Sequence, residues 1–137
     1  MTKAAFFLAV LAVAAAVPDA ARAQAFSDEE FCRVLTEEAD TVNRRNPSWI
    51  DPHIRNDGMA VLCLQKTVEY RVYIKTDPVN LTADWQRRRQ AYWSRQSCRE
   101  PLLTAIRNGW QIVEILRLPK GDRYPEGRRH RVVAACG

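Results

Sequence analysis

The chain has 137 residues, with 21 basic and 16 acidic side chains and a formal net charge of +5 at pH 7. This length suffices for one modest core and excludes a multidomain organisation. With only five glycines in the chain, anion sites built from glycine-rich backbone are not expected.

The N-terminus has the pattern of a secretory signal. Lys3 supplies a positive charge, residues 4–17 are continuously apolar, and a small-x-small motif ends at Ala23. Fourteen apolar residues are too few to span a bilayer. We therefore predict a signal peptide over residues 1–23, cleaved after Ala23 or after Ala25.

The remaining residues, 24–137, are predicted to form a single domain that is periplasmic or secreted, with no transmembrane segment. All the cysteines lie in this part, and an even number of cysteines in an oxidising compartment predicts two disulfides. Four cysteines allow three pairings, and their spacing fits no zinc or thioredoxin-type motif, so no metal site is expected. The cysteines are Cys32, Cys63, Cys98 and Cys136.

Charge is distributed unevenly along this domain. Residues 24–84 hold 11 acidic and 7 basic side chains, whereas residues 85–137 hold 4 acidic and 12 basic ones. The two segments therefore carry net charges of −4 and +8, and such asymmetry can steer an anionic partner to one side of a protein.

The first half of the domain predicts a helix followed by a β-hairpin. Ser27 and Glu30 form a capping box at the start of the helix, and Phe26 and Phe31 occupy the positions of a hydrophobic staple. An Asn-Pro pair at residues 46–47 ends the helical pattern.

The hairpin is predicted over residues 59–65 and 68–75, with its turn near residues 66–67. A two-residue loop would place Val61 and Cys63 on the face of Val68. A three-residue loop would place Ala60, Leu62 and Leu64 there instead, with Cys63 on the opposite face. The disulfide pairing depends on which register is correct.

The second half repeats this order. A helix over residues 85–96, with Thr82 as a candidate cap, precedes a short helix that begins at a second capping box, Ser97 to Glu100. Strands are predicted over residues 110–118 and 131–136.

We therefore predict the α+β class, with element order α-β-β-α-α-β-β and two disulfides. Two β-hairpins would form a four-stranded antiparallel sheet with the helices packed on one face. Neighbouring elements usually touch, which favours Cys32 with Cys63 and Cys98 with Cys136.

The sequence offers little for catalysis. His53 lies in a connector and His130 in a basic run, and neither has metal-ligand spacing from another His, Asp or Glu. No nucleophile motif or phosphate loop is present, so we predict no catalytic residue, no metal and no cofactor. Enzymatic activity is not expected. The alternative is a small secreted enzyme or an enzyme inhibitor whose site is built from loops that show no recognisable motif.

Binding is better supported, because arginines cluster in two segments. The segment WQRRRQAYWSRQSC places aromatic residues on one helical sector, which is typical of a core face, with arginines beside it. The second segment is the basic loop and strand that follow residue 119. The candidate binding residues are Arg88, Arg89, Arg95, Arg99, Arg123, Arg128, Arg129 and Arg131.

The motif SCREPLLTAIRNGWQIVEILRLPKGDR, with a last strand RVVAAC, resembles small exported bacterial proteins of unassigned activity. These have a C-x-x-P helix and a terminal cysteine, and some secretion-system pilotins are similar in architecture. The resemblance covers about half of the chain and implies an α+β fold with Cys98 paired to Cys136. The chain lacks the lipid-anchor cysteine of pilotins.

These observations predict a non-enzymatic exported binding or accessory protein. Its expected partner is a periplasmic protein or an anionic envelope component rather than nucleic acid, because export removes it from cellular nucleic acid. A purely structural envelope protein is a further alternative.

Overall fold

A computed structural model describes residues 26–75, 83–120 and 127–137. It contains three helices and five strands within those residues. In chain order they are α1 (Asp28–Arg44), β1 (Ser48–Trp49), β2 (Ile54–Leu62), β3 (Thr67–Ile74), α2 (Trp85–Ser97), α3 (Leu102–Arg107), β4 (Gln111–Leu118) and β5 (Arg128–Val133).

The strands form one mixed sheet in the order β1-β2-β3-β4-β5. The α+β class and both hairpins are confirmed, but β3 and β4 pair in parallel. The predicted four-stranded antiparallel sheet is therefore wrong in strand number and in the direction of its central pair. The chain crosses over through α2 and α3 between β3 and β4, and such a crossover makes neighbouring strands parallel. The fifth strand, β1, lies in a segment interpreted from sequence as a connector.

The hairpin register follows from a four-residue turn, Cys63 to Lys66. Val61 pairs with Val68 across the hairpin, and the turn begins earlier than the predicted position near residues 66–67. A four-residue loop gives the same face assignment as a two-residue loop. Cys63 therefore lies on the side of the sheet that faces α1.

The start of α1 matches its capping signals. Ser27 Oγ accepts a hydrogen bond from the backbone N–H of Glu30 at 3.2 Å. The rings of Phe26 and Phe31 lie 5.3 Å apart, as a hydrophobic staple requires. Phe31 also packs edge-on against Trp110, with the ring centroids 4.8 Å apart, which fixes α1 against the sheet.

The second predicted capping box is not formed. α2 continues through Ser97, which is buried, and α3 begins only at Leu102. Glu100 instead accepts a hydrogen bond from the backbone N–H of Thr104 at 3.2 Å. Its carboxylate thus satisfies a donor in the first turn of α3. The predicted cap of α2, Thr82, lies outside the described residues.

Two disulfides connect the helices to the strands. Cys32 of α1 is bonded to Cys63 in the β2–β3 turn, and Cys98 after α2 is bonded to Cys136 after β5. Each joins a helix to the strand pair of its own half, which are the pairings expected from the packing of neighbouring elements.

All three helices pack on the same face of the sheet. A single hydrophobic core lies between the two layers, and it includes Leu35, Met59, Val68, Val72, Trp93, Leu102, Ile112, Leu116 and Val132. Within the part of the chain that the structure describes, no helix lies on the opposite face. We call that side the uncovered face.

Candidate functional site: the uncovered face of the sheet

Three of the predicted binding arginines lie on the helix layer. Arg88, Arg95 and Arg99 are exposed. α2 turns Trp93 inward, where its Nε1–H donates to the backbone oxygen of Ile112 at 3.0 Å. The three arginines therefore belong to the outer surface of the helix layer.

Arg89, also predicted as a binding residue, points into the protein. Its Nε and Nη2 donate to the two carboxylate oxygens of Glu114 at 2.6 and 2.7 Å. The guanidinium also lies 4.7 Å from the centre of the Tyr92 ring. Glu114 is fully buried, so Arg89 serves as its counter-ion and is not available to a partner.

The arginines of β5 divide between the two faces of the sheet. His130 packs against Trp85 of α2, with ring centroids 5.2 Å apart, so it faces the helices. Arg128 shares this orientation because strand side chains alternate. Arg129 and Arg131 consequently lie on the uncovered face.

The structure therefore places the candidate binding arginines in different surroundings. Arg88, Arg95 and Arg99 lie on the helix layer, whereas Arg129 and Arg131 lie on the uncovered face. Arg123 lies outside the described residues.

Strand register brings further residues to the uncovered face. Tyr73 of β3 pairs with Arg117 of β4, which pairs with Arg129 of β5, and these form one row across the strands. A second row joins Arg71, Ile115 and Arg131 in the same way. The arginine face, as we name it, consists of Arg55, Asp57, Glu69, Arg71, Tyr73, Ile115, Arg117, Arg129 and Arg131.

Asp57 organises one side of the arginine face. It lies at an irregularity of β2 between residues 56 and 58, where the pairing register shifts. Its carboxylate accepts from Arg55 Nε at 2.5 Å and from Arg117 Nη2 at 3.2 Å. The hydrogen bond from Arg55 to Asp57 raises the pKa of the Arg55 guanidinium, which stays charged. Asp57 therefore holds two cations from strands that are not adjacent.

Aromatic rings extend this row to the sheet edge. Trp49 of β1 pairs with Arg55 of β2, which in turn pairs with Tyr73 of β3. The Arg55 guanidinium lies 5.6 Å from the Trp49 ring centre and 4.7 Å from that of Tyr73, within cation–π range. Arg117 approaches Tyr73 from the other side at 5.7 Å. Trp49 remains 52% exposed, which is a large accessible fraction for tryptophan.

Two open depressions lie on the arginine face. They have volumes of about 610 and 500 Å³, adjoin each other and share Arg117 and Arg129 in their walls, whereas Arg55 lines neither. Five arginines and two carboxylates give the face a net charge of +3. Arg131 donates to Gln111 Oε1 at 3.0 Å. Among the described carboxylates, none forms an ion pair with Arg129 or Arg131.

Sequence reasoning missed most of this site because it followed the basic C-terminal half. Arg55, Arg71 and Asp57 come from the acidic N-terminal half. A signal was present in TVEYRVYI, where Glu69, Arg71 and Tyr73 alternate with buried apolar residues. That alternation predicted which residues are buried, and it also indicated a charged second face.

Titratable groups also lie outside the arginine face. His53 is exposed, and burial together with the charge of Arg128 lowers the pKa of His130. Burial, and then the negative charge of Glu38, raise the pKa of Tyr70 above its ordinary value. Within the described residues, no three His, Cys, Asp or Glu side chains are grouped as metal ligands, and no helix is suited to crossing a membrane.

Comparisons with known proteins support the fold alone. No protein-family profile and no curated protein matches the chain significantly. A solved structure from Pseudomonas aeruginosa, described as a "putative secreted protein", matches with a TM-score of 0.55. The two sequences are 11% identical, and the match covers 76% of this chain and 89% of that one. The same arrangement of layers therefore occurs in a protein of very different sequence.

Proposed function

We propose that this protein is an exported, non-enzymatic binding protein that holds an anionic partner on its arginine face. The observation that carries this proposal is the presence of five arginines and only two carboxylates on the side of the sheet that no described helix covers. Charged groups of one sign on a surface concentrate ligands of the opposite sign.

The uncovered face also offers apolar surface. Ile115 contributes an apolar floor between Arg71 and Arg131, so a ligand would meet both apolar surface and charge. Mixed surfaces of this kind, with a few placed polar groups, are typical of binding sites.

Export is supported by three independent features. The N-terminal residues have the pattern of a signal peptide. Disulfides form and persist in oxidising compartments, and the similar solved structure is described as a "putative secreted protein". A periplasmic or extracellular location favours an anionic envelope component or an acidic protein surface as the partner.

A titration with fluorescently labelled poly-L-glutamate tests the proposal, because this probe supplies repeated negative charge without sugar rings. We expect the double reversal Arg129→Glu/Arg131→Glu to weaken binding by about tenfold or more. The matched control, Arg88→Glu/Arg95→Glu, makes the same charge change on the helix layer. It should alter the affinity by less than about threefold, through long-range electrostatics alone.

Circular dichroism establishes that both double variants keep the native fold. Equal weakening by the two variants would show that net charge, and not the arginine face, determines binding. Stronger weakening by the helix variant would move the site to Arg88, Arg95 and Arg99, as the sequence first indicated.

A further inference from the structure

We infer that the anionic partner of the arginine face is an acidic polysaccharide, whose chain runs across the strands from Trp49 to Arg129. This inference rests on the proposed function and specifies the chemistry of the ligand. It is carried by the row Trp49, Arg55, Tyr73, Arg117 and Arg129, in which each residue pairs with the next across the sheet.

The spacing of the row matches the repeat of an extended glycan. Neighbouring strands lie about 4.8 Å apart, so successive residues of the row repeat at that distance. This is close to the length of one pyranose unit along an extended glycan. A glycan lying across the strands would therefore place one sugar over each residue of the row.

The row combines aromatic rings with guanidinium groups. Trp49 and Tyr73 alternate with arginines, and Trp49 is half exposed at the sheet edge. A pyranose ring offers C–H surface to an aromatic ring and hydroxyls to polar side chains. A uronic acid adds a planar carboxylate that a guanidinium can hold with two hydrogen bonds. A ligand with both ring bodies and carboxylates uses both residue types.

Other polyanions match the row less well. Side chains on one side of an extended peptide repeat at about 6.6 Å, twice the rise per residue. This repeat is longer than the distance between neighbouring strands, so the acidic side chains of a peptide would not align with successive residues of the row. A polyphosphate chain has no apolar surface to place against Trp49. The dispersed arrangement of the arginines over four strands also disfavours a single small anion, which needs donors that converge on one point.

Calorimetric titration with oligogalacturonides of two to six units tests this inference. We expect the affinity to rise with each added unit until the oligomer spans the row, at about four to five units, and then to level off. Neutral oligosaccharides of equal length should bind at least about tenfold more weakly, because the arginines then lack their counter-charges. Poly-L-glutamate and polyphosphate serve as the competing polyanions.

Two substitutions distinguish the contribution of the Trp49 ring to binding from that of the arginine charges. Trp49→Ala should weaken oligogalacturonide binding about fivefold or more. It should weaken poly-L-glutamate binding by less than about twofold, because Arg55 keeps its charge and its ion pair with Asp57. Leu64→Ala is the matched control, since Leu64 is a 97% exposed apolar residue at the hairpin turn, away from the row. It should change neither affinity.

The outcomes distinguish this inference from the proposed function. Tight binding of poly-L-glutamate or polyphosphate, with no preference for the uronate chain and no effect of Trp49→Ala, would overturn the polysaccharide assignment and leave anion binding intact. Absence of binding to every polyanion would overturn both.

Discussion

Arg89 of α2 and Glu114 of β4 form a two-point ion pair between the helix layer and the sheet. The Nε–Oε1 and Nη2–Oε2 distances are 2.6 and 2.7 Å, and the side chains are 17% and 1% exposed. The pair explains why an arginine in the segment WQRRRQAYWSRQSC is structural, although its neighbours Arg88 and Arg95 are on the surface.

Removing one partner of this pair should be strongly destabilising. Arg89→Met leaves the Glu114 carboxylate buried without a counter-charge, and we expect the free energy of unfolding to fall by about 3–5 kcal/mol. Urea denaturation followed by tryptophan fluorescence measures the change.

The double variant Arg89→Met/Glu114→Leu is the control, because it removes both charges and fills the space with apolar atoms. It should recover most of the lost stability. A single variant as stable as the wild-type protein would show that the pair contributes little and that Glu114 is readily accommodated alone.

Gly58 is predicted to tolerate no side chain. Its φ is +101°, and a Cβ there would lie 2.3 Å from Asn43 Oδ1. Asn43 uses that oxygen and its amide nitrogen to bond the backbone N–H and oxygen of Met59, both at 2.8 Å. Gly58→Ala should therefore add a steric clash to the backbone strain, lowering the free energy of unfolding by more than about 2 kcal/mol.

Gly109→Ala separates the steric clash from the backbone strain. Gly109 also has a positive φ, +92°, but a Cβ there would have only Lys66 Nζ nearby, at 3.7 Å. Denaturation should show a smaller loss for Gly109→Ala, attributable to backbone strain alone. Equal losses would mean that the Asn43 contact is unimportant.

Signals from residues close together in the sequence predict the helices and most of the strands. The pairing of the strands depends on residues that are far apart in the chain, and those signals do not determine it. The cap at Ser27 and the apolar alternation around Val68 are properties of neighbouring residues, and both correspond to the structure. The parallel pairing of β3 with β4 depends on the path of the 36 residues between them. The two-residue strand β1 is defined only by its contact with β2.

The candidate site shows the same distinction. Arg129 and Arg131 were recognised as a basic cluster within one segment of sequence. Their association with Arg55, Arg71 and Arg117 depends on strand register, because these residues are far apart in the chain and meet only across the sheet.

His130 should make stability depend on pH. Its pKa is lowered from 6.5 by burial and by Arg128, so the unfolded chain binds a proton more readily than the folded protein. The contribution of His130 to stability is therefore complete above pH 6.5. It is lost as the pH falls through the lowered pKa of the folded state.

His130→Phe keeps a ring against Trp85 but cannot titrate. Urea denaturation between about pH 8 and pH 5 should show a smaller loss of stability in this variant than in the wild-type protein. An NMR titration of the His130 imidazole with a midpoint at or above 6.5 would contradict the sign of this prediction.

Opening the Cys98–Cys136 disulfide should affect binding as well as stability. The double variants Cys98→Ala/Cys136→Ala and Cys32→Ala/Cys63→Ala should each lose about 2–4 kcal/mol, because the sequence separations, 38 and 31, are similar. Only the former releases the end of β5, the strand that carries Arg129 and Arg131.

Hydrogen exchange should therefore increase in β5 when Cys98 and Cys136 are replaced, and the affinity for poly-L-glutamate should fall about threefold or more. Replacing Cys32 and Cys63 should leave that affinity unchanged in the folded protein. Equal affinities for the two variants would show that the terminal disulfide does not support the binding face.

The most direct test of the arginine face is an NMR titration of the isotopically labelled protein with poly-L-glutamate, recorded as backbone amide shifts. Our account predicts that the largest shifts occur at Arg71, Arg117, Arg129 and Arg131. Shifts confined to Arg88, Arg95 and Arg99, or no shifts at any arginine, would contradict it.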